Sequence, residues 1–241
     1  MGNSNYHSLQ ASLRHTAASF AFSVGYTFSK SIDTASSISD PVNPFNYRAT
    51  RALSAFDLKH NVVATYAYQL PFERLFHGPK VLTQGWSISG ITHISTGFPV
   101  TIASDADNSL MGSLPNGVNN KSLDLPDFAS GNLSLNQNPR NGLEYFNTAL
   151  FSPNALGTPG TASRRSFYGP GSFNSDIALL KNFRVAEQKT LEFRLETFNT
   201  FNHTQFFGPA AVNGDIDSDL FGQVVKAAPP RLIQLAVRFA F

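Results

Sequence analysis

The sequence predicts an all-β fold, an antiparallel up-and-down transmembrane β-barrel segment of about seven strands with long extracellular loops. Three observations carry that expectation. Stretches of 9–13 residues alternate apolar and polar side chains, and a period of two marks a strand with one apolar and one polar face. The connections between these stretches are by turns short and long. The stretches also match the ~9–11 residues that a strand tilted by about 45° needs to cross a bilayer.

Composition agrees. Charged residues make up 14% of the 241, with 18 Lys+Arg against 16 Asp+Glu, well under the roughly 25% of a soluble domain. Ser, Thr, Asn, Gln, Gly and Phe fill the difference. Ser, Thr and Asn compete with helical hydrogen bonds and Gly weakens them, so strands and turns are favoured and no convincing helix is expected.

In chain order, the first strand falls near 6–14, with Leu9, Ala11 and Leu13 opposite Gln10, Ser12 and Arg14. The second, 18–29, sets Phe20, Phe22, Val24, Tyr26 and Phe28 against Ala21, Ser23, Gly25, Thr27 and Ser29. The third, 58–70, has an apolar row of Val62, Ala64, Tyr66, Tyr68 and Leu70. The fourth, 85–97, carries Trp86 and Ile88 on one face and blurs at Ile91. The fifth, 175–183, sets Ile177 and Leu179 against Asp176 and Ala178. Its Lys181 lies on the apolar row, from which a long side chain can snorkel to the interface. The sixth, 190–201, places Leu191, Phe193, Leu195, Thr197 and Phe201 opposite Glu192, Arg194, Glu196 and Phe198. The last, 231–241, places Ile233, Leu235, Val237, Phe239 and Phe241 opposite Leu232, Gln234, Ala236, Arg238 and Ala240.

Connections 30–57, 98–172 and 202–230 are long and rich in Asn, Pro, Gly, Ser and Asp, whereas 183–189 is tight. A soluble sandwich rarely needs loops beyond ~15 residues. An outer-membrane barrel joins short periplasmic turns to long outer loops. With the last strand ending in the periplasm, all three long loops fall outside. Aromatics gather near strand ends (Tyr66, Tyr68, Phe72, Trp86, Phe183, Phe201, Phe239), as interfacial girdles do. The expected location is therefore the outer membrane of a Gram-negative-type bacterium, in contact with its lipid. Seven strands fall short of the about eight of the smallest such barrels. Open edges in hydrocarbon cost several kcal/mol per unsatisfied group. Strands 6–14 and 231–241 are thus expected to pair with strands missing from this chain.

Six stretches, GYTFSKSID (25–33), FDLKHNVVATYAYQLPF (56–72), GWSISGITHISTGFPVTI (85–102), FYGPGSFNSDIALLKNF (167–183), LEFRLETFNTFNHTQF (191–206) and RLIQLAVRFAF (231–241), occur in the order seen in one family. The chain resembles the C-terminal part of TonB-dependent outer-membrane receptors, in particular the Oar-like group with an N-terminal carboxypeptidase-regulatory-like domain. The resemblance implies a 22-stranded barrel filled by a plug, importing large or scarce nutrients with energy relayed by TonB; this chain would be about its last third. Plug, TonB-contacting segment, regulatory-like domain and signal peptide are not found in the 241 residues. TonB would act only through the missing part, and the N-terminal plug and other strands would be partners. An adhesin or surface-binding barrel without import is the alternative, and a soluble β-sandwich binding module the third.

The terminal row Ile233, Leu235, Val237, Phe239 and Phe241 resembles the signal read by the outer-membrane barrel-assembly machinery; strand addition gives such docking its affinity and side-chain pockets its choice. The same residues also serve as lipid-facing side chains. Glu192, Arg194, Glu196, Gln234 and Arg238 are expected to face the lumen, forming either a ladder of cross-strand ion pairs or a wall toward plug and substrate. Asp57 and His60 are expected to close the first long loop by hydrogen bonding. Asp215, Asp217 and Asp219 open like a calcium loop, but Leu220 and Lys226 stand where such a loop wants Gly and Glu; Asp105 and Asp107 depart from it similarly. Asn199, Asn202 and His203 suit a strand-to-loop turn.

No catalysis and no cofactor is expected. There is no Cys, no G-x-S-x-G, H-E-x-x-H, Walker or G-x-G-x-x-G motif, and the six His lack metal spacing. A net charge of +2, with basic residues densest at Arg164-Arg165 and Arg48/Arg51, gives little footprint for nucleic acid, and no nucleic-acid partner is expected.

Overall fold

The structure is a computed structural model that describes residues 2–37, 40, 42–43, 45–111, 124–135, 138–186 and 189–241. The chain runs β1 (Ser4–Thr16), β2 (Phe20–Asp33), β3 (Ala52–Leu53), β4 (His60–Gln69), α1 (Phe72–Leu75), α2 (Lys80–Thr83), β5 (Trp86–Ser95), β6 (Asp127–Phe128), β7 (Phe151–Ser152), β8 (Ser172–Ala186), β9 (Lys189–Phe198) and β10 (Leu232–Ala240). All the long strands form one antiparallel sheet in the order β1-β2-β4-β5-β8-β9-β10, with β3 paired to β2. The order follows the sequence, so the topology is up-and-down. Among the described residues the sheet is open: β1 and β10 are its edges.

Register explains the two faces. Directly opposite residues share a face in an antiparallel sheet, and here the matches run from strand to strand. Val24 faces Ala64, Ala64 faces Thr92, Tyr26 faces Val62, and Val62 faces Ile94. Farther along, Ile88 faces Leu179, Leu179 faces Leu195, and Leu195 faces Leu235. The alternate positions give the second face, on which Thr27, Asn61, Ser95 and Ser172 lie in one row. Two-residue alternation in each strand thus becomes one apolar and one polar surface across the whole sheet. The apolar surface is bare: Leu9, Leu13, Phe193, Leu235 and Val237 are exposed. That is the surface a bilayer covers.

The buried apolar core lies elsewhere. Every buried apolar residue among the described ones (Ala52, Leu53, Val100, Ile102, Phe146, Ala162, Ala211, Val212) belongs to the connections that follow β2, β5 and β9. Those connections, read from the sequence as loops, fold together into a cap at one end of the sheet. Phe146 sits at the centre, 4.8 Å from the Phe167 ring and 5.4 Å from the Phe221 ring. Isolated bridges join Ala103 to Asp215 and Glu144 to Gln223. Gly97 is needed where β5 enters the cap, because a Cβ there would stand 2.0 Å from the Gly169 carbonyl oxygen.

Several boundaries differ from expectation for identifiable reasons. The sixth strand stops at Phe198 because Asn199 takes a left-handed φ of 52°, which leaves Phe201 outside the apolar row. Ile91 sits on the polar face, opposite Asp176, and this is why the alternation blurs there. The fifth strand is longer than 175–183 at both ends. Two four-residue helices, α1 and α2, occupy the β4–β5 connection. Lys181 does not snorkel to water. It is buried, donates to the Gln84 carbonyl oxygen, and lies over the rings of Phe183 and Trp86 at 4.6 and 5.4 Å, a cation–π arrangement.

Candidate functional site

Where the polar face passes beneath the cap, β5, β8 and the segment after β9 line an open cavity of about 370 Å³. His93 and Asn174 stand opposite each other in the β5–β8 register, so both side chains enter it. Asp176, two positions along β8, joins them because strand residues two apart share a face. The carboxylate is oriented through Oδ1, which accepts from Asn174 Nδ2 at 3.0 Å and from the Asn199 N–H at 2.8 Å. His93 Nε2 lies 2.7 Å from Asn61 Oδ1.

The far wall is apolar and comes from the β9–β10 connection. Asn199 and Asn202 both have positive φ, 52° and 50°. Asn199 ties the turn by donating to the His203 carbonyl at 2.9 Å and accepting the His203 N–H at 3.0 Å. This reversal brings Gln205 back beside β8, where its amide accepts the Phe173 N–H at 2.9 Å and donates to the Phe173 carbonyl. Phe207 then packs 4.7 Å from Phe98 and edge-on to His93 at 6.2 Å. A second cavity of about 250 Å³ adjoins, shares Asp176 and Phe198, and reaches Glu196. A carboxylate, an imidazole and an amide set among apolar rings and prolines can bind a small polar ligand. No activated nucleophile is paired with a base there, and no group of three His, Asp or Glu among the described residues has metal-holding geometry.

The cap above is locked by ions. Arg164, fully buried, bonds Asp33 at 2.6 Å and Asp40 at 2.8 Å, and Arg165 bonds Asp40 at 2.5 Å. Asp57 accepts the Ser31 N–H at 2.5 Å and the Tyr168 hydroxyl at 2.6 Å. Burial first, then that bond, push the Tyr168 hydroxyl above its ordinary range. His60 Nδ1 lies 2.9 Å from the Tyr26 hydroxyl. Asp57 thus fastens the first long connection to β2, while the His60 bond joins β4 to β2 where that connection ends.

The other residues singled out in the sequence fall as follows. Glu192, Arg194, Glu196, Gln234 and Arg238 all lie on the polar face: Gln234 stands opposite Glu196 and Arg238 opposite Glu192. The ion pairs run along β9, from Arg194 to Glu192 at 3.1 Å and to Glu196 at 3.4 Å, instead of across strands. Ile233, Leu235, Val237 and Phe239 form one apolar row on the edge strand β10, and Phe241 follows its end. Asp217 accepts from the Ser104 hydroxyl and the Asp105 N–H, both at 2.7 Å, and Asp215 accepts the Asp217 N–H at 3.1 Å. Sequence reasoning missed His93, Asn174 and Gln205 as a group: the up-and-down order makes their two strands neighbours, but alternation sets neither the register that puts His93 opposite Asn174 nor the turn that returns Gln205 to β8.

A family model described as an outer membrane beta barrel domain matches residues 1–234. Comparison with curated proteins and with solved structures found no match.

Proposed function

Because the chain belongs to the outer membrane beta barrel domain family, we propose that it is the barrel wall and loop-bearing part of a TonB-dependent receptor of the Oar-like group, taking up a ligand with relayed energy. Its place is the outer membrane. The observation that carries the uptake reading is the position of the cavity. His93, Asn174 and Asp176 line it on the polar face beneath the folded cap, the side that becomes the lumen when the apolar face meets lipid. An adhesin presents its contact surface outward; a receptor that imports must hold its ligand on the inside. In this reading the chain does no catalysis. Its partners are membrane lipid, the assembly machinery that reads the Ile233–Phe241 row, and the plug and strands supplied by the rest of the receptor, with TonB reached only through that rest.

Two measurements test it. The DNA upstream of Met1 is expected to continue in frame through a plug and a TonB-contacting segment; a stop codon followed by an independent start overturns the proposal. In cells, deleting this frame and deleting TonB are expected to give the same growth defect on at least one limiting nutrient, with the double deletion no worse. Additive defects on every nutrient tried argue against energised uptake.

A further inference from the structure

We propose that the β4–β5 connection, residues 70–85, is a lipid-headgroup anchor: it lies in the phospholipid interface at the end of the sheet opposite the cap. Leu75, Phe76, Val81 and Leu82 are 64%, 61%, 65% and 62% exposed. Four large apolar side chains crowded into so short a link are costly in water.

The direction of the link is fixed. Trp86 Nε1–H donates to the Leu82 carbonyl at 2.8 Å, and the Lys181 amine donates to the Gln84 carbonyl. Trp86 and Lys181 face each other in register on the apolar side of the sheet. Phe72 packs edge-on to Trp86 at 5.9 Å and to Phe76 at 5.7 Å. The link is therefore tied to the lipid-facing side, and its apolar side chains extend the band of Tyr68, Trp86 and Phe183.

Charge selects the occupant. Arg74 and Lys80 belong to the two short helices, against Glu73 in the same link. Apolar side chains beside cations are the pattern of a segment lying in a membrane interface, and cations there favour anionic headgroups. The occupant is thus a leaflet containing anionic phospholipid. The inference rests on membership of the barrel family and is independent of the uptake reading.

The chain has no Cys, so single labels can be placed cleanly. The full-length barrel protein, with any cysteine outside this chain replaced by serine, is made as Val81→Cys and, for comparison, as Leu235→Cys on the strand face. Each is labelled with an environment-sensitive fluorophore and reconstituted in mixed phosphatidylcholine and phosphatidylglycerol vesicles. Brominated forms of the two lipids are the quenchers. Both labels are expected to be quenched, with brominated phosphatidylglycerol the stronger quencher at position 81 only. Arg74→Gln and Lys80→Gln are expected to lower that preference by about fivefold each. A quenched label at 235 beside an unquenched one at 81 overturns the anchor, whether the emission at 81 reports water or a covering protein segment. A preference unchanged by the two substitutions overturns the headgroup contact. An unquenched label at 235 overturns the membrane placement itself.

Discussion

At Asp40, burial and pairing act in opposite directions. Burial pushes its carboxyl up; hydrogen bonds from Arg165 and the Ser36 N–H, with the charges of Arg165 and Arg164, outweigh that and hold it below the ordinary carboxylate value. A carboxyl depressed in the folded state adds stability that is fully present above its unfolded pKa and is lost as pH falls through the folded one. The cap is therefore expected to resist limited proteolysis equally from neutral pH down to about 5 and to lose that resistance below about 4. Asp40→Asn leaves Arg164 with one carboxylate, Asp33, beside the Asp33 and Thr34 carbonyls, and Arg165 bonded only to the hydroxyls of Thr101 and Ser36. Breaking a buried pair from one side costs about 3–5 kcal/mol, so the variant is expected to be cut within 34–59 or 138–171 at neutral pH. Wild-type resistance in D40N would mean that the apolar cluster around Phe146 holds the cap unaided. The Arg164-Arg165 pair was visible in the sequence as a basic spot. Its partners stand 124 to 131 residues away, and no local pattern links residues at that separation.

The strands were legible because each records its environment every second residue. Val24 and Ser23 are neighbours in β2, yet Val24 faces Ala64 on the apolar side and Ser23 faces Thr65 on the polar side. Near the middle of the membrane an arginine on the lipid face costs about 2–4 kcal/mol, while a lumen substitution costs little. Val24→Arg is thus expected to lower the folded fraction of the barrel in the outer membrane sharply, read as heat-modifiable mobility on gels, and Ser23→Arg to leave it near wild type. Equal yields for the two would show that the sheet does not separate lipid from lumen. The cap was illegible for a matching reason. It has no period: its order comes from a few apolar residues such as Val100, Ile102 and Val212 packed on Phe146, drawn from segments far apart in the chain. The cavity on the polar face inherits that limit, because Asp176 was readable as a polar-face residue but Phe207 and Gln205 reach it only through the turn at Asn199.

For the molecule as a whole, the parity of the strands is decisive. β1 starts at the cap end, where Ser4 pairs with Asp33, and β10 also starts there, with Leu232 opposite Phe198. First and last strands therefore run the same way, as they must in any odd-numbered meander. Closure of this sheet on itself would need a parallel seam, less stable per residue than an antiparallel one, at a strand count below the about eight of the smallest barrels. An odd number of further strands inserted between β10 and β1 makes both seams antiparallel and the total even, as in bacterial barrels generally. The absence of native Cys makes the seam measurable. Leu9→Cys and Val237→Cys lie on the apolar face of β1 and β10, and a disulfide needs Cα atoms no farther apart than about 7 Å. The 241-residue chain carrying both, taken up in detergent and oxidised, is expected to give no intramolecular disulfide on non-reducing gels. Fast, concentration-independent cross-linking would show that the chain closes alone, and the need for further strands would fall with it.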